Sequence, residues 1–136
     1  MMNGGAISWR SKLQAIVTLS MVEAEYIGAC LCAQHGMHLL NLLKEIVDYS
    51  DGATTLYLDN QSAIAIGSNQ ASIQRTIHLA LRFYFLRDLV RAGTFKLTYM
   101  PTNVMPADIF TKHVPKDKLQ AAIRFMGMGG CCGFCP

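Results

Sequence analysis

The chain has 136 residues, enough for one domain with a core of its own and no need of disulfides or metal. It is 51% hydrophobic and 15% charged, which excludes a disordered tail or an acidic solvating segment. Twelve Lys and Arg against nine Asp and Glu give a net charge of +3, which permits nucleic-acid binding without announcing it.

Residues 6–10 are β-prone and end in a basic turn at Arg10, with Trp9 expected in the core. Ser20 then opens a helix. Glu23 follows at the spacing of a capping box, and Ile27, Leu31, Leu39, Leu40, Leu43 and Ile46 carry a helical pattern to an Asp51-Gly52 turn. Gly36 weakens the middle of that helix and is a place for a bend. Residues 54–59 form a strand. Asn60 or Asp59 caps a short helix through Ala63, Ile64 and Ile66, which Gly67 ends. A longer helix spans residues 75–91, with Ala92-Gly93 as its stop. Residues 94–100 alternate as a strand, with Phe95, Leu97 and Tyr99 on one face and Lys96 and Thr98 on the other. Pro101 closes it. Pro106 suits the first turn of a helix running to Lys112, and residues 116–126 make a last one. Strands alternating with helices predict an α/β fold.

No apolar run reaches the ~18–20 residues of a membrane span. The first residues lack a basic stretch followed by an apolar one, so an intracellular chain, cytoplasmic or nuclear, with no membrane partner is expected. Cys30 and Cys32 fall in a helical pattern and read as small core residues. Cys131, Cys132 and Cys135 crowd a Gly/Cys-rich tail over residues 129–136. Without a nearby His they lack the spacing of a zinc site. Residues 1–128 are expected to form the domain.

Most of the acidic residues have ordinary explanations: a cap at Glu23, a helix end at Glu45, Asp48 and Asp51, a helix face at Asp88, and a first helical turn at Asp117. Three stand apart. Asp59 ends an apolar strand where a helix begins, and ligands of open α/β sheets gather at the carboxyl ends of strands; the alternative is a helix cap. Glu25 lies in the first turns of the long helix beside the small Gly28 and Ala29, on a face able to press against a sheet. Its alternative is an ordinary first-turn glutamate. Asp108 follows Pro106-Ala107 in another first turn, where a dipole role is the alternative. Three carboxylates that converge repel one another unless a cation lies between them. Oxygen ligands of this kind suit Mg²⁺ or Mn²⁺, and two such ions activate water and stabilise the leaving oxygen of a phosphodiester. Arg75, Arg82, Arg87, Arg91 and Lys96, interleaved with Phe83 and Tyr84, form either a phosphate-tracking surface or a solvated helix face above a core stripe.

The surrounding residues sharpen this. Ile7-Ser8-Trp9-Arg10-Ser11-Lys12, Leu19-Ser20, Glu23-Ala24-Glu25-Tyr26, Tyr57-Leu58-Asp59-Asn60-Gln61-Ser62-Ala63-Ile64, Arg75-Thr76 with His78, and Tyr99-Met100-Pro101-Thr102 with Ala107-Asp108-Ile109-Phe110-Thr111-Lys112 follow one another in an ordered set. That set resembles the C-terminal part of the ribonuclease H domain of copia-type retrotransposon Pol polyproteins. The resemblance implies a mixed central sheet flanked by helices, and hydrolysis of the RNA strand of an RNA–DNA hybrid with four carboxylates and two Mg²⁺ or Mn²⁺ ions. By resemblance Glu25 and Asp59 hold the first ion and Asp108 the second. Asn60, Gln61, Arg75, Arg82 and Lys112 face nucleic acid, and an upstream reverse transcriptase segment is a partner. His113, next to Lys112, is a candidate for substrate or metal exchange.

The sequence departs from the pattern in three places. The fourth carboxylate, on the first strand of the family fold, has no counterpart, since no acidic residue precedes Glu23. The first two strands are therefore expected to be missing, leaving an open sheet edge suited to self-association. Ile77-His78-Leu79-Ala80 lacks the family's flanking charges, and Val104-Met105-Pro106 is apolar where the family is polar. The resemblance thus points to a domain of ribonuclease H descent that is inactive by itself, the alternative being a non-catalytic remnant or a module repurposed to bind nucleic acid or protein.

Overall fold

A computed structural model of the chain describes residues 5–15, 17–18, 20–47, 52–68 and 77–128. Asp51, Arg75 and the cysteines at 131, 132 and 135 lie outside the described residues. The architecture is mixed α/β: helix α1 (Met21–Val47), strand β1 (Thr54–Leu58), helix α2 (Gln61–Gly67), helix α3 (Ile77–Arg91), strand β2 (Phe95–Tyr99), a 3₁₀ turn (Pro106–Phe110) and helix α4 (Lys116–Phe125). They fall into two compact units, one of residues 17–99 and one of residues 1–16 with 100–136. No helix among the described residues is long and apolar enough to cross a membrane.

In the unit of residues 17–99, β1 and β2 pair in parallel from Thr54 opposite Phe95 to Leu58 opposite Tyr99. α1 begins as its cap predicts, with the Glu23 N–H donating to Ser20 Oγ at 3.1 Å. Its buried residues are Tyr26, Ile27, Ala29, Cys30 and Ala33, with Ile27 buried as its place in the pattern predicts. Leu31 and Ile46, expected on the buried side, are 39% and 69% exposed. Beside Tyr26 and Ile27 the buried face uses the small Ala29, Cys30 and Ala33, which lets the helix lie close to its neighbours. Cys30 is buried as expected, whereas Cys32 is exposed.

Gly36 does not break α1. A Cβ there would sit 3.0 Å from Cζ of the buried Phe95, so the missing side chain makes room for a ring. Gly67 likewise serves packing: a Cβ on it would run into Leu97 Cδ1. Only Gly93 of the two expected helix stops takes a left-handed conformation, with φ +72°. Tyr26 fixes the centre of the core. Its ring stacks on Phe83 at 4.3 Å and its hydroxyl donates to the Phe83 carbonyl at 3.0 Å.

The other unit is built on α4 and the 3₁₀ turn, with Met105, Asp108, Ala122 and Met126 buried. Residues 6–10 are not a strand. The Ala6 N–H donates to the Met126 carbonyl at the end of α4, and Ser11 Oγ donates to the Phe110 carbonyl at 2.8 Å, so the segment runs as an irregular strap. Trp9, expected in the core, is 64% exposed on that strap. The helix expected from Pro106 to Lys112 is a shorter 3₁₀ turn. Pro106 stands at its start as predicted, and the Thr111 and Lys112 N–H groups both donate to the Asp108 carbonyl to end it. Met105 is apolar for a local reason, since it is buried in this unit.

Candidate functional site

Asp59 leaves the carboxyl end of β1 and is half-buried. It is not the side chain that caps α2. The neighbouring Asn60 accepts the N–H groups of Ser62 at 3.0 Å and Ala63 at 3.2 Å through its own Oδ1. The cap reading of Asp59 is therefore removed, and its carboxylate stands at the position where open α/β sheets hold ligands.

Glu25 belongs to the same unit and is also half-buried. The direction of α1 places it. The C-terminal part of the helix borders a shallow cavity through Leu40 and Lys44, which face Thr54 and Thr94 at the starts of the strands. Gly36 meets Phe95 at the start of β2. α1 thus runs antiparallel to the strands. From Gly36 back to Glu25 it climbs roughly 16 Å at 1.5 Å per residue, comparable with the roughly 13 Å from Phe95 to Tyr99. The N-terminal turns of α1, with Glu25, therefore lie toward the carboxyl end of the sheet.

Asp108 lies in the other unit, in the 3₁₀ turn, and is 8% exposed. Its Oδ2 accepts from two ammonium groups, Lys118 Nζ at 2.7 Å and Lys112 Nζ at 2.9 Å. Burial pushes its carboxyl up, but the hydrogen bonds and charges of the two lysines outweigh burial and hold it below the ordinary carboxylate range. Lys118 also donates to the Thr102 carbonyl at 2.6 Å. Lys112 is legible in the sequence, because it lies four residues after Asp108. Lys118 is not, because it reaches Asp108 from a different helix.

The basic stretch divides. Arg87 is buried, 8% exposed, and its Nε donates to the Ile66 carbonyl at 2.8 Å, so it pins α3 to α2 and cannot track a phosphate. Arg82 is half-buried, and its carbonyl accepts from the Cys30 thiol at 3.3 Å. Phe83 is core, while Tyr84 is 61% exposed. Gln61, the first residue of α2, and Lys112 are exposed. Asn60 spends its carbonyl oxygen on the cap.

Of the three expected ligands, Glu25 and Asp59 belong to one unit and Asp108 to the other. Among the described residues no group of three or more His, Cys, Asp or Glu is arranged to hold a metal ion. The most buried of the three expected ligands, Asp108, is already neutralised by two cations of the protein itself.

Over 126 residues, 93% of its length, the chain is 38% identical to the retrovirus-related Pol polyprotein from transposon TNT 1-94 of Nicotiana tabacum. The Pol polyproteins from transposons RE2 and RE1 of Arabidopsis thaliana match 90% and 84% of it, at 30% and 29% identity. The chain is homologous to a segment of plant-transposon Pol polyproteins. It spans 8–9% of the length of these curated relatives. No family model matches it, and no solved structure does. The homologous stretch takes in Glu25, Asp59 and Asp108 as one collinear set, since each match covers at least 84% of the chain.

Proposed function

We propose that the chain is a ribonuclease H-like segment of a retrotransposon Pol polyprotein, and that by itself it folds without cleaving RNA–DNA hybrids. The observation that carries this reading is the position of Asp59. It stands at the carboxyl end of a parallel strand, directly before the Asn60 cap of α2, with α1 directing Glu25 toward the same end, and within a segment homologous to Pol polyproteins. Two carboxylates at a strand end are a partial site for phosphodiester hydrolysis. Asp108 belongs to the other unit, where Lys112 and Lys118 engage its Oδ2. A hybrid substrate would meet this end of the unit, where the exposed Gln61 opens α2.

The test joins the chain to what precedes it in a relative. Alone, the purified chain leaves the labelled RNA strand of an RNA–DNA hybrid intact in Mn²⁺. Fused behind the residues that precede the matching segment in the tobacco polyprotein, it gains cleavage, and Asp59→Asn abolishes that gain. A folded fusion that never cleaves, or that cleaves equally well with Asn at position 59, overturns the reading.

A further inference from the structure

We propose that Asp108 is a latch, a carboxylate that two lysines hold in place to join α4, the 3₁₀ turn and the loop of residues 101–105, and that its closed state excludes a divalent cation. The inference goes beyond the proposed function and does not need it. Lys118 is the inner bolt. Its ammonium group, on a side chain 22% exposed, bridges Asp108 Oδ2 at 2.7 Å and the Thr102 carbonyl at 2.6 Å, so one charge ties three parts of the chain. Lys112, 52% exposed, reaches the same oxygen from the solvent side at 2.9 Å.

The electrostatics of α4 call for such a partner. Lys116 and Lys118 both lie at the start of α4, where the helix dipole disfavours cations. A buried carboxylate against Lys118 offsets that penalty, and Lys118 in turn offsets the cost of burying Asp108. Each group is in an unfavourable place without the other. A divalent ion approaching Oδ2 has to expel two ammonium groups and release the Thr102 carbonyl. An ion at Oδ1 instead still meets the two ammonium charges on the same carboxylate, so cation binding at Asp108 and the docked state of α4 disfavour each other.

The experiment compares Asp108→Asn, Lys118→Met and Lys112→Met by amide hydrogen exchange and by Mn²⁺-induced broadening of assigned resonances. Asp108→Asn and Lys118→Met each speed exchange in α4 and in residues 102–105 about ten- to a hundredfold, the range for a hydrogen bond between charged groups. Lys112→Met does so only a few-fold, because its bond is largely exposed. The double variant of Asp108 and Lys118 speeds exchange by less than the product of the two single effects, because both substitutions remove the same ion pair. In the wild type, Mn²⁺ gives no broadening centred on Asp108 at millimolar concentration, whereas Lys118→Met creates it. If Asp108→Asn fails to fold, the two lysine variants keep the carboxylate and still decide. Unchanged exchange in Lys118→Met, additive effects in the double variant, or selective broadening around Asp108 in the wild type each overturns the latch.

Discussion

Asn60→Ala isolates the turn that delivers Asp59. The substitution removes the acceptor of two N–H groups, those of Ser62 and Ala63, at the start of a helix of only seven residues. Those donors have no partner within the helix, so truncation costs about 1 kcal/mol, within a span of roughly 0.5–2. For a chain of this size that lowers Tm by about 3–6 °C. Asn60→Asp keeps an acceptor at the same place and restores most of the loss. Urea unfolding followed by circular dichroism gives the free energies, and hydrogen exchange locates them: the Ser62 and Ala63 amides exchange faster in Asn60→Ala and at the wild-type rate in Asp59→Asn. The reasoning fails if those two amides are unaffected by Asn60→Ala and deprotected by Asp59→Asn, because the cap would then belong to Asp59.

Arg87→Met costs about 1.5–3 kcal/mol in urea unfolding, because it breaks a charged bond to the Ile66 carbonyl in a buried place; the salt dependence of any nucleic-acid binding stays the same, which a filter-binding series at several ionic strengths reads directly. Asp108 gives the chain an acid-labile component. Its folded pKa lies below the ordinary value of 3.8, so its contribution is complete above that pH and disappears as pH falls through the folded value, and stability curves of Asp108→Asn lose this slope below about pH 4. Burial pushes the Cys30 thiol up to about 12 and raises that of Cys32 as well, so alkylation of the native chain is slow at both, reaches the more exposed Cys32 first and Cys30 only on unfolding, as peptide mapping shows.

The helices and strands of residues 20–99 were legible because their signals are local. Ser20 with Glu23, the alternation around Leu97, and Ala92-Gly93 each act within a few residues of the chain. What was not legible depends on distant partners. Gly36 and Gly67 read as a weak point and a stop, yet each makes room for a side chain of β2, which no local pattern reports. The apolar pattern of α1 placed Ile27 and Leu40 correctly against the core, while Leu31 and Ile46 are exposed and Ala29, Cys30 and Ala33 fill the tight packing around Tyr26 and Phe83. Residues 6–10 have strand composition but no neighbouring strand among the described residues; their backbone finds the end of α4. Glu25 and Asp59 could be picked out because strand ends and helix starts are visible in sequence. The fate of Asp108 could not, because half of its pairing comes from Lys118 across a proline-containing turn.

The most direct measurement is cleavage of a labelled RNA–DNA hybrid by the purified chain in Mn²⁺, with Asp59→Asn alongside and circular dichroism to show that both are folded. No cleavage above background from either folded protein is the expected result. Cleavage by the wild type that Asp59→Asn abolishes would contradict it, and would mean that Glu25, Asp59 and Asp108, or two copies of the chain together, suffice for a working site.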